Sequence, residues 1–306
     1  MLFIKKPIEK LFFAISLSLM QAKTIKILET PRDAIQGLDS LIPLQKKVEL
    51  MNSLLKVGFD ILDVGSFVSP KAIPQMADTA EVVRQLDLSE TNTKLFVLTV
   101  SAKGGEKAAS FDNISFIGFP FSTSATFLRK NINSDFEKSM KTIADLQEIC
   151  IRTNKTLIVY LSMAFGNPYG DASGTEIVLQ WTNKLHQMGV SIISLSDITG
   201  VATTNSIQDI YSSLSKEFPK IEFGLHLHTN SDDWYDKIDA AYINGCRIFD
   251  GVINGLGGCP MSGYELLGNL PTGNIIEYAE KNKIRLGINN AEFLKSRQIA
   301  IEVTGY

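Results

Sequence analysis

The stretch that decides the fold is TLIVYLSM (156–163), followed by TEIVLQWTNKLHQMG (175–189) and then by SIISLSDI (191–198). The first and third segments are short runs rich in Val, Ile and Leu, as expected of strands that are covered on both faces. The middle segment has apolar residues at helical spacing and ends at Gly189, a suitable helix C-cap. A strand, a helix and a second strand in this order predict a βαβ unit of a parallel sheet.

The same alternation extends in both directions from this unit. Helical patterns such as residues 136–154 separate most of the candidate strands, and no linker or change of composition interrupts the series. The eight candidate strands are TIKILE (24–29), FDILDVGSF (59–67), KLFVLTV (94–100), ISFIGFPF (114–121), TLIVYLSM (156–163), SIISLSDI (191–198), IEFGLHLH (221–228) and RIFDGVIN (247–254). Eight βα units in one run predict an α/β TIM (β/α)8 barrel with parallel strands and a short C-terminal helical extension.

A doubly wound, dinucleotide-binding sheet is the alternative architecture. That fold requires a G-x-G-x-x-G turn after an early strand, and the sequence has none there: Gly104-Gly105 is an isolated pair, and the glycines of residues 255–258 follow the last candidate strand. The P-loop pattern is also absent from the sequence. We therefore predict that residues 23–306 form a single catalytic barrel domain.

Length, charge and cysteine content agree with this prediction. The chain has 306 residues, which allows one large domain or two ordinary ones. Its 30 basic and 33 acidic residues leave a net charge of −3, which argues against a nucleic-acid partner bound through bulk charge. Three cysteines are too few for a disulfide framework. We expect a soluble protein of a reducing, cytoplasmic compartment.

Residues 1–22 stand apart from the barrel pattern. Three lysines precede the apolar run from Leu11 to Met20, which is too short to span a membrane, so no membrane partner is expected. The segment resembles a weak signal peptide, although Met20 occupies a place where a small residue is wanted. The second interpretation is an optional extension or a start codon assigned too early, with Met20 as the true start.

Polar residues follow the predicted strands at their C-terminal ends, where TIM barrels carry their catalytic groups. His226 and His228 are two residues apart on one strand, so both imidazoles should point into the barrel mouth. With the carboxylate of Asp33 and the amide oxygen of Asn269 they would suit a divalent cation such as Mg²⁺ or Mn²⁺. The alternative is that both are core histidines bonded to the backbone.

Two further residues are open to two interpretations. Arg32 precedes Asp33 and either forms a surface ion pair of little value or places a fixed positive charge beside a metal ligand, where it would stabilise an oxyanion or enolate. Cys259 lies in a glycine-rich stretch and is either a buried apolar residue or a thiol that serves in acid–base chemistry.

The ordered motifs of the chain resemble those of the 3-hydroxy-3-methylglutaryl-CoA lyases, in the superfamily of metal-dependent lyases and Claisen-condensing barrels. The resemblance runs from about residue 27 to about residue 272. It rests on PRDAIQ (31–36), SFVSPK (66–71) with PQM (74–76), RKNI (129–132), AFGNPY (164–169), SLSD (194–197), HLH (226–228), GLGGCP (255–260) and Gly268-Asn269.

The resemblance implies a role for each matching residue. Asp33, His226, His228 and Asn269 would bind the divalent metal, Mg²⁺ or Mn²⁺. Arg32 would stabilise the enolate of the departing acetyl-CoA, and Cys259 would serve in acid–base chemistry. Asp63 and Asp197 would be polar partners near the metal and the tertiary hydroxyl of the substrate. The implied reaction cleaves 3-hydroxy-3-methylglutaryl-CoA to acetoacetate and acetyl-CoA, as in leucine degradation and ketone body metabolism.

The sequence departs from the family pattern at several positions. Ala34 and Ile35 replace a Gly and commonly a Leu of the signature, Asp63 replaces a Glu, and Thr229 replaces an Asp. These departures concern substrate identity more than reaction class, so a lyase acting on a related 3-hydroxyacyl-CoA is an alternative function. A Claisen-condensing synthase of the isopropylmalate or homocitrate type is a second one, and a non-catalytic barrel is a third. The resemblance also implies a homodimer, with CoA bound as part of the substrate.

Overall fold

Eight parallel strands close into a barrel in the computed structural model, which describes residues 24–229, 232–257 and 268–305. Each strand pairs with the next along the chain, and the first pairs with the eighth. The strands are β1 (Lys26–Glu29), β2 (Ile61–Ser66), β3 (Lys94–Leu98), β4 (Ile114–Ser122), β5 (Thr156–Ser162), β6 (Ile192–Asp197), β7 (Glu222–Leu227) and β8 (Ile248–Gly251). The predicted TIM barrel is confirmed.

Helices connect the strands and cover the outside of the barrel. They are α1 (Pro31–Ile35), α2 (Leu44–Val57), α3 (Thr79–Arg84), α4 (Ala102–Ala109), α5 (Ala125–Ile132), α6 (Phe136–Arg152), α7 (Thr175–Gln187), α8 (Thr204–Glu217), α9 (Trp234–Ile243), α10 (Thr272–Lys281) and α11 (Asn290–Thr304), with 3-10 turns at Pro74–Met76 and Ile253–Gly255. In the described part of the chain no helix has the length and apolarity that a membrane crossing requires.

Side chains alternate between two apolar layers, because successive residues of a strand face opposite sides of the sheet. The interior floor of the barrel contains Leu28, Ile61, Ile192 and Ile248. The larger layer, between the strands and the helices, contains the residues of opposite parity, such as Ile27. On each of these four strands, the next inward-facing residue, two positions after the floor residue, is polar. This change places the functional groups near the C-terminal mouth of the barrel.

The C-terminal helix α11 packs against the outside of the barrel, which confirms the predicted extension. The ring of Phe293 meets the ring of Phe59 edge to face at 6.3 Å between centroids. The backbone N–H of Asn289 donates to the carbonyl of Val57 over 2.8 Å. Residues 1–22 lie outside the described residues, so both interpretations of that segment stay predictions, as does the assignment of residues 23–306 to one domain.

Six of the eight strands, all except β1 and β4, end before the predicted residue, and β7 shows the physical reason. It ends at Leu227, although the pattern predicts a strand through His228. His228 leaves the parallel ladder and forms an isolated antiparallel bridge with Asn269. Leaving the ladder thus brings together two of the predicted metal ligands.

Candidate active site

A cavity of about 460 Å³ opens at the C-terminal mouth of the barrel. Residues from β3, β4, β5, β6 and β7 and from the segments that follow β1 and β2 contribute to its lining. The polar side chains in this lining include Arg32, Asp33, Tyr160, Ser196, His226 and His228. The cavity therefore lies where a TIM barrel carries its active site.

Three possible metal ligands converge in this cavity. His226 Nε2 lies 3.1 Å from His228 Nε2 and 4.0 Å from Asp33 Oδ2. One ligand atom from each of the three residues lies within 4.8 Å of the others, and all three residues are buried. The predicted pairing of the H-x-H motif with Asp33 is present in the structure.

Asn269 joins this cluster through two hydrogen bonds of its amide nitrogen. Nδ2 donates to Asp33 Oδ2 over 3.0 Å and to the carbonyl of Leu256 over 2.9 Å. The buried Oδ1 accepts no hydrogen bond from any residue that the structure describes. An unpaired buried oxygen beside a carboxylate and two imidazoles fits a divalent cation, which prefers such a mixed set of oxygen and nitrogen ligands.

Arg32 is held from two sides by carboxylates. Its Nε and Nη2 each lie 2.8 Å from Asp63 Oδ2, and its Nη1 donates to Asp33 Oδ1 over 3.0 Å. Gln36 accepts from the same Nη1 over 3.1 Å and donates to Asp33 Oδ1 over 2.6 Å. Arg32 is only 7% exposed, so the interpretation as a surface ion pair is wrong.

The charges of this group are coupled. Burial raises the pKa of Asp63 to about 6, although the neighbouring Arg32 counteracts the shift. Burial also acts to raise the pKa of Asp33, but Arg32, His226 and His228 outweigh it and hold that pKa below its usual value. Burial opposes the charge of Arg32, yet Asp63 and Asp33 keep its pKa above the ordinary value. Asp33 is therefore an ionised carboxylate at neutral pH, beside a permanent cation.

Two further residues of the site were not among the predicted ones. Asp250 Oδ2 lies 3.1 Å from His226 Nδ1, so for His226 the alternative of a core histidine bonded to the backbone is wrong. Tyr160 meets the His226 ring edge to face at 6.1 Å between centroids. Both follow an apolar inward residue of the same strand by two positions, Ile158 and Ile248, and this alternation is the signal that could have found them.

The side chain of Asp197 is directed away from the other predicted site residues, although its backbone carbonyl accepts the N–H of His228 over 3.1 Å. It shares the face of β6 that carries Leu195, which belongs to the layer between strands and helices. Its carboxylate accepts the backbone N–H groups of Val201 over 3.0 Å and Ala202 over 2.8 Å. Burial raises its pKa. These contacts fix the loop after β6, and they do not bring Asp197 to the metal ligands.

Cys259 lies outside the described residues, so its predicted role stays a prediction. The remaining two cysteines, Cys150 and Cys246, are buried. Burial raises the pKa of the Cys150 thiol to about 12 and that of Cys246 further. Neither is an activated thiol.

Comparison with known proteins agrees with the geometry. The chain is 31% identical to the mitochondrial hydroxymethylglutaryl-CoA lyase of Mus musculus over 277 residues, which cover 90% of this chain and 84% of that protein. It is also 31% identical to the cytoplasmic 3-hydroxy-3-methylglutaryl-CoA lyase of Mus musculus, over 87% of this chain and 77% of that protein.

A similar solved structure is that of an HMG-CoA lyase from Acinetobacter baumannii in complex with coenzyme A and 3-methylmalate. It superposes with a TM-score of 0.85 at 25% identity, over 93% of this chain and 92% of that chain. The family model named HMGL-like matches residues 24–299. The chain therefore belongs to the HMGL-like family.

Proposed function

We propose that this protein is a carbon–carbon lyase that cleaves 3-hydroxy-3-methylglutaryl-CoA into acetoacetate and acetyl-CoA by retro-Claisen (retro-aldol) chemistry. The observation that carries the proposal is the buried cluster of Asp33, His226, His228 and Asn269 beside Arg32 in the cavity at the barrel mouth. The family match and the relatives named HMG-CoA lyase support the choice of reaction.

The proposed ligands of a divalent cation, Mg²⁺ or Mn²⁺, are Asp33, His226, His228 and Asn269. Asp33, His226 and His228 each have one ligand atom within 4.8 Å of the others, and Asn269 would add its unpaired amide oxygen. A bound cation supplies a Lewis acid that lowers the pKa of a coordinated hydroxyl and polarises an adjacent oxygen.

In the proposed reaction the tertiary hydroxyl of the substrate loses its proton and the bond between C2 and C3 breaks. The hydroxyl oxygen becomes the ketone of acetoacetate, and the electron pair passes to the thioester fragment as an enolate. That enolate takes up a proton and leaves as acetyl-CoA. The protein therefore has to stabilise negative charge on two oxygens in turn.

In this proposal Arg32 stabilises the enolate oxygen. Its guanidinium is buried and fixed by Asp63 and Asp33, so it meets the developing charge without reorganising. In this proposal Asp63 holds the guanidinium, and Asp197 fixes the loop after β6. Cys259 serves in acid–base chemistry, an assignment that rests on the resemblance of residues 255–260.

The test is to incubate the purified protein with 3-hydroxy-3-methylglutaryl-CoA and Mg²⁺ or Mn²⁺ and to measure acetoacetate and acetyl-CoA, with a chelator-treated sample beside it. We expect product only in the presence of metal. If neither Mg²⁺ nor Mn²⁺ gives product, the proposal is contradicted. Turnover of a related 3-hydroxyacyl-CoA instead of this substrate would keep the reaction class and replace the substrate.

Variants of the ligands test the metal set directly. We expect Asp33→Ala and His228→Ala each to lose metal affinity, measured by calorimetry, and activity with it, because each removes a donor atom. Full activity of either variant contradicts the ligand set. Cys259→Ala tests the thiol alone: an undiminished rate removes Cys259 from the mechanism and leaves the rest.

The remaining assignments rest on resemblance and on the relatives. We propose a homodimer in solution, a CoA ester as the bound substrate and a cytoplasmic location in a reducing environment. Sedimentation velocity of the purified chain tests the dimer. Cell fractionation tests the location, since the relatives include mitochondrial as well as cytoplasmic lyases.

A further inference from the structure

The imidazole of His226 has different neighbours at its two nitrogens. Nδ1 lies 3.1 Å from Asp250 Oδ2. Nε2 lies 3.1 Å from His228 Nε2 and 4.0 Å from Asp33 Oδ2. One nitrogen therefore faces a carboxylate, and the second faces the proposed metal ligands.

The strand pairing fixes this arrangement. His226 and Asp250 are register partners on the adjacent strands β7 and β8, so their side chains leave the sheet on the same face, toward the barrel interior. Asp250 is 3% exposed. The contact is thus built on the rigid wall of the barrel and does not depend on a loop.

The second oxygen of Asp250 has no described partner. Oδ1 accepts no hydrogen bond from any residue in the ranges that the structure covers. A buried carboxylate is costly unless it is paired. The imidazole of His226 is its ion-pair partner, and the buried hydroxyl of Tyr160 also interacts with the carboxylate of Asp250. The contact with His226 therefore accounts for a carboxylate at this position.

A neutral imidazole carries its single proton on one nitrogen, and the hydrogen bond that this proton makes decides which one. A carboxylate beside Nδ1 favours the tautomer with the proton on Nδ1, because it accepts a hydrogen bond from Nδ1–H. The lone pair of Nε2 is then free to bind a metal. Histidines that bind metals commonly donate their second N–H to a carboxylate in this way, which orients the ring and raises its basicity.

We propose that Asp250 is a positioning residue, which holds His226 as the Nδ1–H tautomer so that Nε2 is directed at the proposed cation. The inference rests on the metal site of the proposed function and adds a fifth residue to it, one that does not touch the metal. A direct consequence is that loss of the Asp250 carboxylate weakens metal binding without removing any ligand.

The test begins with the wild-type protein. The chain has three histidines, so ¹⁵N-histidine labelling gives a spectrum simple enough to assign with single His→Gln variants. In the metal-free protein we expect a protonated Nδ1 and an unprotonated Nε2 for His226. A neutral wild-type His226 with its single proton on Nε2 overturns the proposal, whether or not any variant folds.

The second measurement is the Kd for Mn²⁺ by calorimetry, in Asp250→Asn and in Asp60→Asn. Asp60 is the control, because its carboxylate accepts a backbone N–H from Ile27 over 2.9 Å at the opposite end of the barrel. We expect Asp250→Asn to bind Mn²⁺ on the order of 10- to 100-fold more weakly and to lose the single tautomer. We expect Asp60→Asn to match the wild type.

A folded Asp250→Asn protein with a Kd within twofold of wild type overturns the proposal. Both measurements are independent of turnover. A protein with the expected tautomer and the expected change in Kd that does not cleave 3-hydroxy-3-methylglutaryl-CoA would contradict the proposed function and leave the assignment of Asp250 supported.

Discussion

At the scale of single residues, the site depends on charges that are buried in pairs. Arg32 lies between Asp63 and Asp33, so the guanidinium is held in one orientation before any substrate arrives. Positive charge fixed in a cavity from which water is largely excluded stabilises an anion more strongly than the same charge in water.

Replacing Arg32 tests this idea. We expect Arg32→Gln to lower kcat by about 10²- to 10³-fold, because the donor to the enolate oxygen loses its charge. Arg32→Lys should recover little of the loss, since an ammonium cannot reproduce the paired contacts with Asp63. Arg84→Gln, which removes an exposed arginine paired with Glu81 over 3.0 Å, is the control and should leave kcat unchanged. Steady-state kinetics that show a minor effect of Arg32→Gln would contradict the role.

Glu29 is a second buried carboxyl, and it lies behind the site. It accepts the backbone N–H of Ile253 over 2.7 Å and the hydroxyl of Thr272 over 2.5 Å, so it joins the end of β1 to the two ends of the segment that carries Asn269. Burial raises its pKa to about 8, although both hydrogen bonds act to lower it.

This shift predicts how stability depends on pH. The folded pKa is above the unfolded value, so the contribution of Glu29 is fully present below about pH 4.5 and is lost as the pH rises toward 8. Glu29→Gln should remove that part of the pH dependence, at about 1.4 kcal/mol for each pKa unit that separates the two states. Urea unfolding at pH 5 and pH 8.5 measures it. If the unfolding free energy changes equally with pH in Glu29→Gln and in the wild type, the shifted pKa is contradicted. Glu49→Gln, at an exposed position, is the control.

At the scale of elements, the segment after β8 has to pass close to α1. Gly257 has a φ of +89°, and a Cβ placed there would lie 2.6 Å from the carbonyl oxygen of Asp33 and 3.1 Å from Asn269 Nδ2. A side chain would therefore strain the backbone and push the segment away from two proposed metal ligands.

We expect Gly257→Ala to weaken metal affinity and activity together, with the barrel still folded. Gly273→Ala is the matched control, since no atom lies within 4 Å of a Cβ placed there and alanine suits its helical position in α10. The control should be neutral or slightly stabilising. Calorimetric titration of Mn²⁺ into both variants measures the difference. Equal affinities would show that metal binding does not need the close approach of Gly257 to Asp33 and Asn269.

The sequence predicted the elements well and their exact ends less well. Strand and helix patterns follow from local periodicity, so all eight strands were found within a few residues. His228 was assigned to the strand, but the bridge to Asn269, 41 positions later in the chain, removes it from the ladder. Such a contact is set by tertiary structure and leaves no local pattern.

The site residues that belong to a motif were predicted, whereas a residue marked only by the alternation of its strand was missed. Asp33, His226, His228 and Asn269 come together as predicted. Asp250 was missed because one acid in an apolar strand has no motif around it. Asp197 occurs within a motif, yet the parity of β6 turns it away from the cavity toward the loop that it fixes.

At the scale of the whole molecule, α11 stabilises the barrel from outside. Phe293 is 7% exposed and packs on Phe59, whereas its neighbour Leu294 is 62% exposed. We expect Phe293→Ala to cost about 3–5 kcal/mol of unfolding free energy and Leu294→Ala to cost little, with metal affinity unchanged in both. Denaturant titration measures the difference. Equal stability of the two variants would show that α11 contributes little to the barrel.

The contact between Asp33 and Asn269 has a consequence for the barrel as a closed ring. A ring made from a linear chain has one seam, and here the seam is the pairing of β1 with β8. Asp33 follows the first strand, Asn269 follows the last, and their contact spans 236 positions of sequence. A cation bound by both residues would link the two ends of the chain across this pairing of β1 with β8. Metal affinity would then report whether the two ends of the ring are joined, and the metal would stabilise the closed ring in proportion to its own binding.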